Sequence, residues 1–220
     1  MAESLKLFKE GAQALGLELG PREIEAFRIY MTEILRWNAR TNITGFRTKE
    51  DIITKGFLDS LACYKAFLPR PGLRVLDVGT GAGFPGLPLK ICLSFLDLTL
   101  LEASRKKVSF LRHTCRLLGL SDVKCIWGRA EALALEEGHQ GSYDVVLARA
   151  VAHLTPLAVS CLPFLRQGGL LVVPKGAEAE RGAEEARPEL GAKGGRIKGV
   201  LPVTFPGGLP HRRLVIVERV

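Results

Sequence analysis

The chain has 220 residues, 47% apolar and 25% charged, an ordinary balance for a globular protein with a sizeable core. No apolar run approaches the ~20 residues of a membrane span, and the opening Met1-Ala-Glu-Ser-Leu-Lys6 carries no signal-peptide core. The formal net charge of +8 favours polyanionic partners such as nucleic acid.

The charge is clustered. Arg105, Lys106, Lys107, Arg112 and Arg116 lie in an acid-free run from Ala103 to Ser121, and Lys193, Arg196, Lys198, Arg212 and Arg213 in another from Leu190 to Val217. Either run could be a solvated face or a track for phosphates. Cys63, Cys92, Cys115, Cys125 and Cys161 are scattered, with no C-x-x-C pair. That pattern suits reduced thiols in a cytoplasmic protein better than a disulfide frame or a metal site. No metal is expected.

Leu5, Phe8, Ala12 and Leu15 step by three and four and predict a first helix, broken by Gly16 to Pro21. Ile24, Phe27, Met31 and Ile34 stripe a second, which runs out near Trp37 to Asn42. A third is expected from Thr48 to Phe67, with Thr48 as N-cap and Asp51 at the third helical position. Pro69-Arg-Pro-Gly72 then punctuates the chain, so residues 1–70 read as a helical cap and 71–220 as an α/β domain.

The α/β domain opens with a strand, Val75-Leu-Asp-Val78, that runs into Gly79, Gly81 and Gly83, with Pro85 and Pro88 at the start of a helix. Strand, glycine turn and helix start together place a ligand against the edge of a sheet. Further strands are expected at 98–102, 123–127, 143–148 and 168–173, with helices at 104–118 and 154–165. Residues 177–195 read as a helix fraying into a loop. Two closing strands, 200–205 and 212–217, are joined by Pro206-Gly-Gly-Leu-Pro210 and must pair antiparallel. An antiparallel ending on a parallel sheet separates the chain from an ordinary dinucleotide-binding fold. It fits the seven-stranded, mostly parallel sheet of the S-adenosylmethionine-dependent methyltransferases.

Ligands of open α/β sheets sit beyond the carboxyl ends of the strands. Those ends hold Asp77 to Gly83, Glu102, Ala130-Glu131 and Arg149. Glu102 lies 19 residues past Gly83, where an acid accepts hydrogen bonds from ribose hydroxyls. The turn Gly79-Thr-Gly-Ala-Gly83 is G-x-G-x-G, not the G-x-G-x-x-G that holds a pyrophosphate, and Phe84 and Pro85 stand where free N–H groups would be wanted. A sulfonium donor carries no phosphate, so the turn points to methyl transfer. Asp77 either meets the ligand or caps the turn. Asp59 and Ser60 are expected to fix the cap to the domain, Trp37 to lie in the core, and His113 and His153 to be ordinary helix residues.

Several stretches together resemble the bacterial 16S ribosomal RNA (guanine-N7) methyltransferases, the glucose-inhibited division protein B family. They are Trp37-Asn38 with Asn42-Ile-Thr44, Leu58-Asp-Ser60, Asp77 to Leu89 with its Gly-Phe-Pro-Gly-Leu-Pro extension, Leu100-Leu-Glu102, Lys106 to Leu111, Arg149-Ala150, Lys175-Gly176 and Arg213 to Val217. The resemblance implies S-adenosylmethionine as donor and a guanine in the 530 loop of 16S rRNA, alone or in the 30S subunit, as acceptor. By motif it places donor contacts on Gly79, Gly81, Phe84, Glu102, Ala103, Ser104, Ala130, Glu131 and Arg149, the last also as a positioning group. Arg105, Lys106, Lys107, Lys175, Arg196, Lys198, Arg212 and Arg213 are the candidates for rRNA phosphates. The family's usual His before the apolar pair of Asp-Ser is Gly56 here. Guanine N7 carries a lone pair and no proton, so its attack needs no general base. The place where exocyclic-amine methyltransferases carry Asn-Pro-Pro-aromatic holds Ala148-Arg-Ala-Val151, and no cysteine has the setting of a cytosine-C5 nucleophile. A small-molecule methyltransferase and a noncatalytic RNA-binding ribosome-assembly factor are the alternatives. No feature requires more than a monomer.

Overall fold

In a computed structural model of the chain, residues 2–149, 153–206 and 212–220 are described, with side chains from Leu5 onward. The first helices are α1 (Ala2–Ala14) and α2 (Pro21–Asn38). The expected third helix is present but not uniform. It starts as α3 (Lys49–Asp51), widens into a π-helical stretch (Ile52–Leu58), continues as α4 (Asp59–Ala62) and tightens into a 3₁₀ turn (Cys63–Ala66). Thr48 caps it, its Oγ1 accepting from the Asp51 N–H at 3.0 Å.

The α/β part then runs β1 (Arg74–Val78), α5 (Gly86–Cys92), β2 (Asp97–Glu102), α6 (Arg105–Leu117), β3 (Lys124–Trp127), α7 (Ala130–Leu133), β4 (Tyr143–Ala148), α8 (Leu154–Cys161), β5 (Leu165–Lys175), α9 (Ala179–Ala192), β6 (Gly195–Val203) and β7 (Arg212–Arg219). One seven-stranded sheet takes the order β3-β2-β1-β4-β5-β7-β6. Strands β1 to β5 pair parallel, and β7 inserts antiparallel to both β5 and β6. The closing antiparallel pair is as expected from sequence. The linker predicted at Pro206 to Pro210 lies largely outside the described residues, as does Ala150.

The central strands β1, β2 and β4 are buried on both faces, and the alternation along the sheet feeds two cores. Val75, Leu98, Leu100, Val145, Leu147 and Leu214 pack with the cap residues Phe8, Phe27, Tyr30, Ile52 and Phe57. Leu76, Leu101, Val146, Leu171, Val215 and Val217 face α8 and α9. Residues of the helical segment therefore share a core with the sheet rather than enclosing one of their own.

Several boundaries differ from the sequence reading, the helix expected at 154–165 ending at Cys161 among them, and three have a clear tertiary reason. Residues 179–192 remain helical despite Gly182, Pro188 and Gly191. Ala179, Ala183, Ala186 and Leu190 form a buried stripe on the sheet, and Arg181 and Arg187 pair with neighbouring glutamates on the outer face. Burial of that stripe outweighs the cost of proline. Strand β6 begins five residues earlier than expected because β7, already paired to β5, offers its other edge as a template from Arg219 back to Arg212. Strand β5 gains residues at both ends by pairing with β4 and β7.

Lys90 is an unexpected structural element. Its side chain is 1% exposed, and Nζ donates to the carbonyls of Ser94 (2.6 Å) and Leu96 (2.7 Å) and to Asp122 Oδ2 (2.6 Å). All three ammonium donors are used, joining the end of α5 to the start of β2 and to the α6–β3 loop. Methionine at this position fills the volume and strands two carbonyls. Lys90→Met is expected to cost about 2–3 kcal/mol in urea unfolding; an unchanged midpoint would show the contacts to be dispensable.

Candidate active site

The C-terminal ends of β3, β2, β1 and β4 lie side by side, so Trp127, Glu102, Asp77 and Arg149 come together from separate parts of the chain. The glycine turn is stitched to β2, with Gly79 and Thr80 N–H both donating to the Leu101 carbonyl at 2.9 and 3.1 Å. Its glycines have different jobs. Gly79 and Gly81 have φ of +66° and +62°, and a Cβ added at either meets no atom closer than 4.0 Å, so open space lies against this backbone. At Gly83 a Cβ would stand 2.6 Å from both Leu87 and the Tyr30 hydroxyl. Gly83 is therefore a packing glycine.

Glu102 is 7% exposed, which rules out an ordinary surface acid. Its Oε2 accepts from Gly81 N–H at 2.9 Å and its Oε1 from Ser104 N–H at 2.8 Å. The carboxylate thus clamps the glycine turn to the start of α6, and each oxygen retains a second lone pair. Ala103 lies exposed between them, its carbonyl accepting from Trp127 Nε1 at 2.9 Å. Ala130 and Glu131 open α7, half-buried and exposed respectively.

Of the two roles open to Asp77, capping is visible, Oδ2 accepting from Thr80 Oγ1 (2.6 Å) and Gly86 N–H (2.7 Å). Its Oδ1 is buried and finds no hydrogen-bond partner among the described residues. Burial pushes the carboxyl pKa from an ordinary 3.8 up to about 6, against the pull of those two hydrogen bonds and of Arg149.

These features fit a cationic amino-acid sulfonium such as S-adenosylmethionine. Two side-chain-free positions leave room against the backbone, an orphaned carboxylate oxygen lies buried beside the turn, and an acid stands at the lip with acceptor capacity to spare. Glu102, Gly79, Gly81 and Asp77 would hold the group, with Ala103, Ser104, Ala130 and Glu131 at its rim.

The fourth strand end is closed by the cap. Arg149 Nη1 donates to the Lys55 carbonyl in the π-helical stretch at 2.6 Å, and its guanidinium stands 5.1 Å from the Phe84 ring centre and 5.5 Å from that of Phe46. Burial lowers the Arg149 pKa, and the carboxylates of Asp59 and Asp77 oppose that shift. Phe84 is 4% exposed, in a wall with Tyr30, Phe46 and Phe57. Tyr30 Oη donates to the Ala82 carbonyl at 2.5 Å, and Asp59 pairs with Arg212 at 2.8 Å. Asp59 thus ties the cap to β7, whereas the Ser60 hydroxyl only bonds back to Gly56 O at 2.5 Å within its own helix.

The sequence profile of the family described as GidB: rRNA small subunit methyltransferase G matches residues 23–202. The chain belongs to that family. A curated relative, Ribosomal RNA small subunit methyltransferase G of Roseiflexus sp. (strain RS-1), is 44% identical over 209 residues, covering 95% of this chain and 88% of the relative. Among solved structures, a SAM dependent methyltransferase from Aquifex aeolicus superposes with a TM-score of 0.58 at 19% identity, over 79% of this chain and 94% of the other. The [4+2]-cyclase SpnF superposes with a TM-score of 0.61 at 16% identity, over 92% and 98%. The fold is thus that of the S-adenosylmethionine-dependent methyltransferases, and it also carries other chemistry.

At Gly56, where the resemblance would put a His, Phe84 and Phe46 press close to the backbone. A Cβ on Gly56 would lie 3.0 and 3.1 Å from Phe84 ring atoms and 3.5 Å from Phe46. The Phe84 ring is buried among its aromatic neighbours and Arg149, which any shift of it must displace. Gly56→His is expected to destabilise the fold by about 2–3 kcal/mol through overpacking, read from urea unfolding; a neutral result would mean that the aromatic wall yields.

The basic candidates divide. Arg196 and Lys198 both pair with Glu218, Arg213 pairs with Glu180 at 2.6 Å, and Arg212 holds Asp59. The run that is acid-free in sequence therefore meets acids brought in by folding. Lys175 ends β5 opposite Arg213, its pKa lowered by burial. Arg105, Lys106 and Lys107 stand differently. Among the described residues they form no ion pair with an acid, and the Arg105 guanidinium stacks at 4.0 Å on Trp127, which is 50% exposed. Sequence reasoning missed Trp127, Tyr30 and the Lys55 carbonyl. Only the position of Trp127 at a strand end could have flagged it.

Proposed function

We propose that this chain transfers a methyl group from S-adenosylmethionine to N7 of a guanine in the 530 loop of 16S rRNA. The observation that carries the donor assignment is the buried Glu102 clamp at the lip of an open glycine turn. Membership of the rRNA small subunit methyltransferase G family supports the substrate class, and the acceptor atom follows the resemblance already described. The donor, when bound, supplies an electrophilic methyl on a sulfonium centre.

The protein's own residues orient and dehydrate. Gly79 and Gly81 admit the donor against the backbone, Glu102 accepts hydrogen bonds from its ribose, and the Asp77 carboxylate offers a buried negative charge to a cationic ligand. Arg149 holds the acceptor side of the site. One of its N–H groups is fixed on Lys55 O, which keeps the guanidinium in place while others remain for guanine O6. The Tyr30–Phe57–Phe84–Phe46 wall excludes water there. Because N7 has no proton to lose, alignment and desolvation supply the rate and no proton acceptor is needed at the attacking atom.

Arg105, Lys106 and Lys107, with Trp127 beside them, form the rim over which rRNA phosphates and an unstacked base pass. Reversing charge at Lys106 and Lys107 is expected to lower kcat/KM on RNA by about 100-fold while leaving donor affinity unchanged. Activity of the unaltered chain should fall steeply between 50 and 200 mM salt, as counterion release requires. A flat salt response with active charge-reversed protein would point instead to a small-molecule acceptor.

A further inference from the structure

Cys115 and Cys125 are ten residues apart in sequence and come together in the fold. Cys115 lies in the last turns of α6 and is buried; Cys125 is the second residue of β3, the edge strand of the sheet, and is half-buried. Their sulfurs are 4.0 Å apart. Both line an open surface hollow of about 370 Å³ whose rim carries Arg112 and Arg116. Arg112 also donates to the Cys125 carbonyl at 3.1 Å, holding its charge at the mouth.

The five thiols are not equivalent. Burial pushes Cys63 well above the ordinary range and Cys92 and Cys161 up to about 12. Cys125 moves the other way. The hydrogen bond shared with Cys115 lowers it, burial opposes, and the Arg112 charge assists. That same bond, then burial, raises Cys115. The two sulfurs are thus shifted in opposite directions, Cys125 towards the thiolate and Cys115 away from it, as exchange chemistry needs of a dithiol.

We propose that Cys115 and Cys125 are a thiol-redox site, which an anionic low-molecular-weight disulfide oxidises to an internal disulfide. The Cys125 thiolate attacks one sulfur of the small disulfide, forming a mixed disulfide and expelling one thiolate. Cys115 then attacks Cys125 Sγ, the second small thiol leaves, and the Cys115 proton passes to it. The expelled thiolate takes back from water the proton that Cys125 released on ionising, so the protein dithiol loses two electrons and two protons in all and the small disulfide is reduced to two thiols. Arg112 and Arg116 attract the carboxylates of such an oxidant. Closing the sulfurs from 4.0 Å to the bond length of about 2.05 Å takes place between two adjacent elements. The far ends of the same two elements bear Ser104 and Trp127, so the new bond would brace the α6–β3 corner behind the donor lip.

The test treats the intact, folded protein with oxidised glutathione at pH 8 and reads mass, free thiols and peptide linkage. The expected result is loss of two of the five thiols, a mass lower by two hydrogens, and a Cys115–Cys125 cross-linked peptide. Cys115→Ser should trap one glutathione on Cys125. A native protein that keeps all its thiols, or one that accumulates glutathione with no internal bond, would overturn the proposal. So would a trapped adduct on Cys115 in Cys125→Ser with none on Cys125 in Cys115→Ser. The wild-type measurement stands even if a variant folds poorly.

Discussion

Replacing Glu102 with alanine is expected to weaken S-adenosylmethionine binding about 100-fold, measured by calorimetry. Glu102 uses both oxygens on backbone N–H groups, one on Gly81 and one on Ser104. Its removal releases the glycine turn from the head of α6 and deletes the acceptor proposed for the ribose. Hydrogen bonds to a charged group contribute about 1.5–3 kcal/mol each, and the loss of roughly 2.7 kcal/mol is a factor of 100 in affinity. Glu102→Gln keeps the shape and one acceptor, and should lose about tenfold. The fold should survive both changes, because the carboxylate lies at the sheet edge and not in either core. Donor affinity within twofold of wild type in Glu102→Ala would remove the basis for placing the ribose there.

The second large effect is a pH dependence centred on Asp77. In the unfolded chain its carboxyl titrates near 3.8; in the folded protein burial moves it to about 6. Between those values the folded state keeps a proton that the unfolded state has lost. Stability therefore falls as pH rises through this window, and the penalty is complete above about pH 6. Two pKa units correspond to about 3 kcal/mol. Asp77→Asn retains an acceptor for Thr80 and Gly86 and cannot ionise, so its stability relative to wild type should rise across pH 4–7 by up to about that amount. Donor binding should show the opposite trend. On the proposed reading the carboxylate holds a cationic donor, so wild-type affinity should increase about tenfold from pH 5 to pH 7, and Asp77→Asn should lose that dependence. Parallel stability curves for the two proteins would show that Asp77 titrates normally.

Much of this site was legible because its parts are local. The strand–glycine–helix turn, the acid ending β2 and the arginine ending β4 are each readable as residue types at strand ends, and the parallel topology brings strand ends together. What was not legible depends on contacts between distant segments. Nothing near Arg149 in sequence indicates that Lys55 O and two phenylalanines will hold its guanidinium. Nothing in the basic run at 190–217 announces that Glu218, Glu180 and Asp59 will neutralise four of its members. The three glycines looked alike as letters, yet Gly79 and Gly81 face open space and Gly83 faces Tyr30 and Leu87. The persistence of α9 through Pro188 likewise follows from a buried alanine stripe that local propensity undervalues.

The most direct measurement is methyl transfer from labelled S-adenosylmethionine to 16S rRNA and to 30S subunits lacking the modification, with the product mapped by cleavage at 7-methylguanosine. The expected result is a single modified guanine in the 530 loop, lost with Glu102→Ala and suppressed by salt. Donor binding without transfer to either RNA substrate would contradict the rRNA assignment, and no donor binding at all would contradict the methyltransferase reading itself.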